Sequence, residues 1–250
     1  MIATLAAKEL RGLFASPLAW IVLALLQAIL AWVFLVRLDS FLELQPRLAQ
    51  LANAPGASEI VTAPLFSAAA VILMMATPLL GMRLIAEERR NRTMTLLMSA
   101  PISMTQIVLG KFLGLCAFLL IPVALVSAMG LALAAGGTID LGLLACNALG
   151  LSLLLATFAA VGLFASSLTS QPIIAAVLAL GVLLASWLAS LANPDSANAI
   201  QLLSVTRRFE SFNTGLVDSA DLVWHGLAIV LFLLLTIRRL DRDRLVGQAA

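Results

Sequence analysis

The stretch between Leu141 and Pro194 contains no Asp, Glu, Lys or Arg, which limits the chain to folds that can bury a long apolar segment. One helical crossing of the hydrocarbon layer needs only about 20 residues. The polar run SSLTSQ, at residues 166–171, is the only plausible turn within the stretch. We therefore predict two membrane crossings joined by a tight turn, with one long re-entrant helix as the alternative.

Apolar blocks recur along the whole chain. The sequence is 62% hydrophobic and 11% charged, whereas soluble domains carry about 25% charged residues. This composition indicates an all-α integral membrane protein, with a single transmembrane domain over residues 1–250. The six predicted spans are residues 18–36, 65–82, 107–135, 141–168, 172–192 and 222–237.

The first 16 residues have the pattern of an amphipathic helix. Ile2, Leu5 and Leu10 share one face of a helical wheel, and Lys8 and Arg11 share the other. Such a helix lies along a membrane surface, and we predict an interfacial helix over residues 1–16. A disordered leader is the alternative.

The distribution of Lys and Arg predicts the orientation, because cytoplasmic loops carry the excess of these residues. With both termini inside, only Arg37, Arg47, Arg207 and Arg208 of the 15 basic residues fall outside. We predict a bacterial cytoplasmic (inner) membrane protein with both termini in the cytoplasm. The external segments are then residues 37–64 and 193–221. Their amphipathic pieces either cover the bundle, provide a docking surface or lie in the headgroup layer.

Several function classes are disfavoured by what the sequence lacks. A phosphate-binding loop needs upstream glycines before Lys and Ser or Thr, but Gly110-Lys111 is followed by Phe112. The spans contain no central ionisable group of the kind that ion-coupled carriers use. One His and two Cys do not suggest a metal site, and a net charge of +2 does not suggest nucleic-acid binding.

A membrane hydrolase is one alternative function. Glu87, Glu88 and Arg92 match the EExxxR pattern of intramembrane proteases that process CAAX-type substrates. Those enzymes also need two histidines, whereas His225 is the only histidine here. Because His225 follows Trp224 at the edge of the last apolar block, we interpret it as an interfacial residue.

The polar segment between the second and third spans, residues 83–106, is the strongest functional candidate. Its periodicity predicts a helix over residues 85–98, with a Glu88–Arg92 ion pair. Pro101 disfavours helix at the preceding residue, and Ser103 is a predicted N-cap for the next helix. Leu96 and its neighbours form an apolar knob flanked by charge. The segment is therefore predicted to dock into a soluble partner, with an ordinary charged loop as the alternative.

Four features resemble the membrane subunit of ABC-2 type transporters, of the gliding-motility and copper-maturation kind. They are KELRGLFASPLAW at residues 8–20, AEERRNRTMTLLMSAPISMTQIVLGKF at residues 86–112, RRFESFNTGLVDSADLVW at residues 207–224, and the six-span layout. The second is the most specific. Many members of this family have a glycine before the Thr at the position of Arg92, so we expect a more continuous helix here.

The resemblance implies that residues 83–106 contain a coupling helix that docks into a separate cytoplasmic ATPase subunit. ATP would bind to that subunit, so no cofactor is expected on this chain and no catalytic or metal-binding residue is predicted. The other implied partners are a second permease copy or paralogue and membrane lipid. The implied docking residues are Glu87, Glu88, Arg92, Thr95, Leu96, Leu97, Ser99 and Pro101.

We therefore interpret the chain as a permease subunit that couples ATP hydrolysis by a partner to export or to force transmission across the membrane. Two alternatives remain at this point. One is the hydrolase that uses Glu87 and Glu88. The other is an accessory scaffold whose external segments bind an extracytoplasmic protein.

Overall fold

A computed structural model of the protein describes residues 1–48, 50, 56–94, 102–136, 139–190 and 204–248. In these ranges the regular structure is helical throughout. The predicted docking residues Thr95, Leu96, Leu97, Ser99 and Pro101 lie outside the described residues. The α-helices are α1 (Ile2–Ala15), α2 (Pro17–Leu48), α3 (Ala63–Gly81), α4 (Arg83–Arg90), α5 (Met104–Ala132), α6 (Leu141–Leu168), α7 (Pro172–Ser190), α8 (Val205–Asn213) and α9 (Ser219–Gln248).

Six helical segments of this described part are long and apolar enough to cross a membrane. They correspond to α2, to α3 together with its flanking turn and α4, and to α5, α6, α7 and α9. A π-helical turn at Ser58–Thr62 leads into α3, and a short 3-10 turn at Leu133–Ala135 follows α5. The prediction of an all-α integral membrane protein is confirmed.

Local sequence signals account for several helix ends. Ser16 is extended, which separates α1 from α2 at Pro17. Ser103 forms a capping box with Gln106, as its side chain accepts from the Gln106 amide at 3.2 Å, so the predicted N-cap of α5 is confirmed. Asp140 caps α6 in the same way, by accepting from the amide of Leu143 at 3.0 Å.

Two helices are longer than the predicted spans. The helix α2 continues past residue 36 to Leu48, into the predicted external segment of residues 37–64. Pro46 lies in the last turn, where few helical residues follow it. The helix α9 begins before residue 222 and continues through the charged run RRLDRDR to Gln248. The charged segment after the last span is therefore a rigid extension of that span.

The core of the bundle is built around α6. In α6, 67% of the residues in the apolar stretch are buried, whereas only 17% are buried in the corresponding stretches of α2 and α7. The helix α6 is therefore the central span. Gly81 of α3 and Gly162 of α6 allow close approach, since a Cβ built at Gly81 would lie 3.7 Å from the Gly162 Cα. The outer helices turn apolar side chains away from the bundle, as a helix facing lipid does.

The helix α8 packs into the bundle. Phe209 and Phe212 are buried, and Phe212 lies over Gly150 of α6, where an added Cβ would be 2.5 Å from the Phe212 Cβ. The apolar side chains of this predicted external segment are therefore used for internal packing. Asn213 adds a hydrogen bond to Ser67 of α3 at 2.8 Å.

Contacts between distant elements define two ends of the bundle. At one end α1, α4, the start of α5 and the last turns of α9 meet, through Lys111–Glu9 and Arg89–Asp243. We call this the α4 end. At the other, the α8 end, Ser58 accepts from the Asp140 amide at 3.0 Å and Arg208 pairs with Asp221.

Candidate functional site

A buried ionic cluster of Glu9, Glu88 and Lys111 lies at the α4 end. The Lys111 side chain is only 2% exposed, and its Nζ lies 2.7 Å from Glu9 Oε1 and 2.8 Å from Glu88 Oε1. One ammonium group therefore joins three helices: α1, α4 and α5. Lys111 falls within the predicted third span, residues 107–135, but the burial of its charge was not predicted.

Two glycines explain how α1 comes so close to α5. Gly110 and Gly114 have the small-xxx-small spacing that lets helices in membranes approach each other. A Cβ added at Gly110 would lie 2.6 Å from the Leu5 Cβ, and one at Gly114 would lie 2.8 Å from the Glu9 Cβ. The groove over these glycines therefore brings the Glu9 carboxylate to Lys111. The role of this pair was not predicted, although its spacing is visible in the sequence.

The first turn of α4 is held by a side chain from the central span. Ser166 of α6 accepts hydrogen bonds from the amides of Ile85 at 3.1 Å and Ala86 at 3.0 Å. Its own hydroxyl donates to the carbonyl of Met82 at 2.9 Å. The first four amides of a helix have no partner within that helix, so Ser166 satisfies the amide of Ile85, which would otherwise be unpaired. The break between α3 and α4 is thus fixed against α6.

The last turn of α4 ends in a Schellman motif. The amide of Arg92 donates to the carbonyl of Arg89 at 3.2 Å, and that of Thr93 donates to Glu88 at 3.0 Å. Arg92 has φ 57°, in the left-handed region that favours glycine and costs other residues roughly 1–2 kcal/mol. The expectation of a more continuous helix is wrong, because α4 ends at Arg90 despite the missing glycine. Glu88 accordingly pairs with Lys111, instead of with Arg92 as predicted.

A further ion pair joins α4 to the end of the last span. Arg89 donates from Nη2 to Asp243 Oδ2, and Arg239 lies one turn before Asp243 with its Nε 3.9 Å from Oδ1. The helix α4 therefore contacts α1 and α5 through the ionic cluster, α6 through Ser166, and α9 through Asp243. A cavity of about 270 Å³ separates part of α4 from α1, bordered by Glu9, Glu88 and Lys111.

A family model described as "ABC-2 family transporter protein" matches residues 3–245, nearly the whole chain. The chain belongs to the ABC-2 transporter family. A comparison with curated proteins found no match. The resemblance drawn from the sequence is confirmed, and the ionic cluster is part of the membrane component of an ABC-2 transporter.

The predicted docking residues of this ABC-2 membrane protein that the structure describes lie close together. Glu87 and Glu88 are neighbours on α4, and Arg92 is in the turn that follows. Glu87 is about half exposed and lies 4.0 Å from the guanidinium of Arg83. Glu88, by contrast, is mostly buried in the ionic cluster. Within the predicted set, Glu87 is therefore more accessible than Glu88.

His225 packs against the middle of the central helix α6 in this ABC-2 membrane protein, so its predicted interfacial position is wrong. The side chain is fully buried, with Nδ1 2.9 Å from the Thr157 hydroxyl, beside the ring of Phe212. Ser166, which bonds to the start of α4, lies nine residues beyond Thr157 on α6, about 14 Å along the helix, so Glu88 and His225 do not share a hydrolytic site. Across the described ranges, no group of three or more His, Cys, Asp or Glu side chains could hold a metal ion.

Proposed function

We propose that this ABC-2 protein is the permease subunit of an ATP-driven transporter, and that α4 receives movement from a separate ATPase subunit. The observation that carries the proposal is the ionic cluster. A helix next to the predicted docking knob is bonded through one buried ammonium group to both α1 and α5. A displacement of α4 would therefore act directly on the third span and on the amphipathic helix.

The burial of the cluster makes this connection stiff. Removing one partner from a buried ion pair costs about 3–5 kcal/mol, because the remaining charge stays buried without compensation. Glu9, Glu88 and Lys111 would therefore stay together when α4 moves. Exposed surface ion pairs, which contribute about 0–1 kcal/mol each, would separate more easily. The Arg89–Asp243 pair supplies a second route, from α4 to the last span.

Two permease copies, or one copy and a paralogue, would work with two ATPase subunits that bind ATP. The α4 end would face the cytosol of a bacterium, so that both termini are cytoplasmic and the α8 end faces outward. The excess of Lys and Arg at the α4 end supports this orientation. A cysteine at Thr95 should then resist an impermeant thiol reagent added to intact cells.

Coupling can be separated from docking with two variants. Glu9→Gln removes the charge, but its amide oxygen can still accept a hydrogen bond from Lys111, so the fold should persist. We expect the reconstituted complex to bind the ATPase normally and to lose several-fold in permease-dependent ATP hydrolysis. Lys8→Gln is the matched control, since Lys8 is the exposed neighbour on α1. Equal coupling in wild type and Glu9→Gln would contradict the proposal.

Docking itself is tested at the predicted apolar knob. Leu97→Arg places a charge where the sequence predicts contact with the ATPase, and should strongly reduce the amount of ATPase that co-purifies. Unchanged association would count against docking through residues 83–106. The hydrolase alternative predicts instead that Glu88→Gln abolishes turnover while assembly is retained.

A further inference from the structure

The ionic cluster of Glu9, Glu88 and Lys111 carries more negative than positive charge. Two carboxylates share one ammonium group, although the Glu9 and Glu88 side chains are only 16% and 19% exposed. Oε2 of Glu88 is buried and accepts no hydrogen bond from the described residues. Charges buried in proteins are normally paired with an opposite charge. Among the residues that the structure describes, one negative charge of the cluster therefore has no cation of its own.

The excess negative charge borders the cavity between α1 and α4, which we call the α1–α4 cavity. This cavity has a volume of about 270 Å³. Its lining also includes Lys8 and Arg83, but within the described ranges neither lies within ion-pairing distance of Glu9 or Glu88. Both of these cations are exposed, whereas the two carboxylates are mostly buried. The cavity therefore has a negative inner end and a positive outer end.

Apolar side chains of two spans form another part of the cavity wall. Leu18 of α2 and Leu79 of α3 both border the cavity. About one turn further towards the middle of each span, Ile21 and Met75 are exposed. Hydrocarbon chains can therefore extend from the cavity along α2 and α3 while they remain on apolar surface. An occupant with a polar head and apolar tails fits this arrangement, which indicates a lipid.

The charges of the lining favour a zwitterionic headgroup. Three cations and three carboxylates border the cavity: Lys8, Arg83, Lys111, Glu9, Glu87 and Glu88. A headgroup without net charge preserves this balance, and its cation compensates the inner carboxylates. A primary ammonium group has three N–H donors for them, whereas a choline group has none and is typically bound by aromatic rings. No described residue that lines the cavity is aromatic, so ethanolamine matches the site better than choline.

We propose that the α1–α4 cavity binds the headgroup of phosphatidylethanolamine. The ammonium group donates to the carboxylates of Glu9 and Glu88 at the inner end. The phosphate lies beside Lys8 and Arg83 at the outer end, because cationic side chains form strong hydrogen bonds with phosphate. The lipid supplies the cation that the ionic cluster lacks, and thereby holds α1 next to α4. The site would exist whether or not α4 receives movement from an ATPase.

Two variants test the site, one by its space and one by its charge. Gly12 lines the cavity, and no atom of the described residues lies within 4 Å of a Cβ added there, so Gly12→Leu should fill the cavity without displacing its neighbours. It also replaces a glycine inside a helix, so the melting temperature should not fall. Glu88→Gln removes the excess negative charge, while its amide oxygen can still accept from Lys111. Gly181→Leu on α7 is the control, because it adds the same side chain outside the cavity, where the described residues leave equally open space.

Native mass spectrometry of the purified full-length chain in detergent measures the retention of phosphatidylethanolamine, phosphatidylcholine, phosphatidylglycerol and soluble phosphoethanolamine. We expect wild type and Gly181→Leu to retain phosphatidylethanolamine about tenfold better than the other two lipids, because those headgroups cannot donate N–H hydrogen bonds to the carboxylates. Gly12→Leu and Glu88→Gln should both lose this preference.

An unchanged preference in either variant would overturn the proposal. Equal retention of phosphatidylcholine or phosphatidylglycerol by wild type would also overturn it, since the ammonium donors would then not be recognised. Retention of phosphoethanolamine in place of the lipid would show a site for a soluble amine and overturn the lipid assignment.

Discussion

The hydroxyl of Ser166 lies 3.1 Å from the amide nitrogen of Ile85, so a side chain of the central span completes the first turn of α4. The same oxygen also accepts from Ala86 and donates to Met82. These three bonds are made by one atom that is fully buried. The orientation of α4 is consequently set from within the bundle, at the point where the second span is interrupted.

Replacing this serine should destabilise the junction between α3 and α4. Ser166→Ala removes three hydrogen bonds and leaves the buried amide of Ile85 without a partner, and we expect a loss of about 1–3 kcal/mol in the free energy of unfolding. Ser167→Ala is the control, because among the described residues the Ser167 hydroxyl bonds only to the carbonyl of Phe164 in its own helix. Denaturation in detergent measures the stability of both variants. Similar denaturation midpoints for the two would contradict the role of Ser166 at the start of α4.

Enlarging Gly114 should displace α1 from its groove. Even a Cβ at this position would lie 2.8 Å from the Glu9 Cβ and 2.9 Å from the carbonyl oxygen of Ala6, so Gly114→Leu cannot be accommodated without movement of α1. Trypsin cleavage after Lys8 and Arg11 should become much faster. Gly181→Leu is the matched control, since no atom of the described residues lies within 4 Å of an added Cβ there. Cleavage of Gly114→Leu at the wild-type rate would contradict the packing of α1 in the groove on α5.

The ionic cluster predicts a non-additive set of stabilities. Lys111→Met leaves two carboxylates facing each other without their cation, and should cost about 3–5 kcal/mol. Adding Glu9→Gln and Glu88→Gln to it removes the uncompensated charges and should restore most of that loss. Urea or thermal midpoints of the single and triple variants give the comparison. A triple variant less stable than Lys111→Met would show that the carboxylates are not coupled through the lysine.

Enlarging Gly150 should detach α8 from the bundle. An added Cβ would lie 2.5 Å from the Phe212 Cβ, and the side chain of Gly150→Leu would occupy the space of the phenyl ring. Cys146 reports the change, because its Sγ lies 3.6 Å from the carbonyl of Gly215 just beyond α8. We expect thiol labelling of Cys146 to accelerate at least threefold in a Cys116→Ala background.

The control for this experiment is Gly226→Leu, because an added Cβ at Gly226 on α9 meets nothing within 4 Å. Its labelling rate should match that of the parent chain. If Gly150→Leu also matched the parent, Phe212 would not be what holds α8 against α6.

The sequence was sufficient for features that depend on neighbouring residues. The apolar blocks predicted the helical membrane fold, and Ser103 with Gln106 predicted the start of α5, since a capping box is made within one turn. The site required contacts between segments far apart in the chain. Neither the pairing of Lys111 with Glu9 nor the role of Ser166 has a local signature. At Arg92 a local rule also failed, because the helix ended in a left-handed turn without glycine.

The groove on α5 has a consequence for the order in which the protein is assembled. The helix α1 is synthesised well before Gly110, Lys111 and Gly114 exist, so during translation neither its apolar face nor Glu9 has a partner. The helix α1 therefore stays at the lipid surface until the third span has been inserted and its groove is available. The ionic cluster is therefore completed by the return of a helix that was synthesised before both of its partners, α4 and α5.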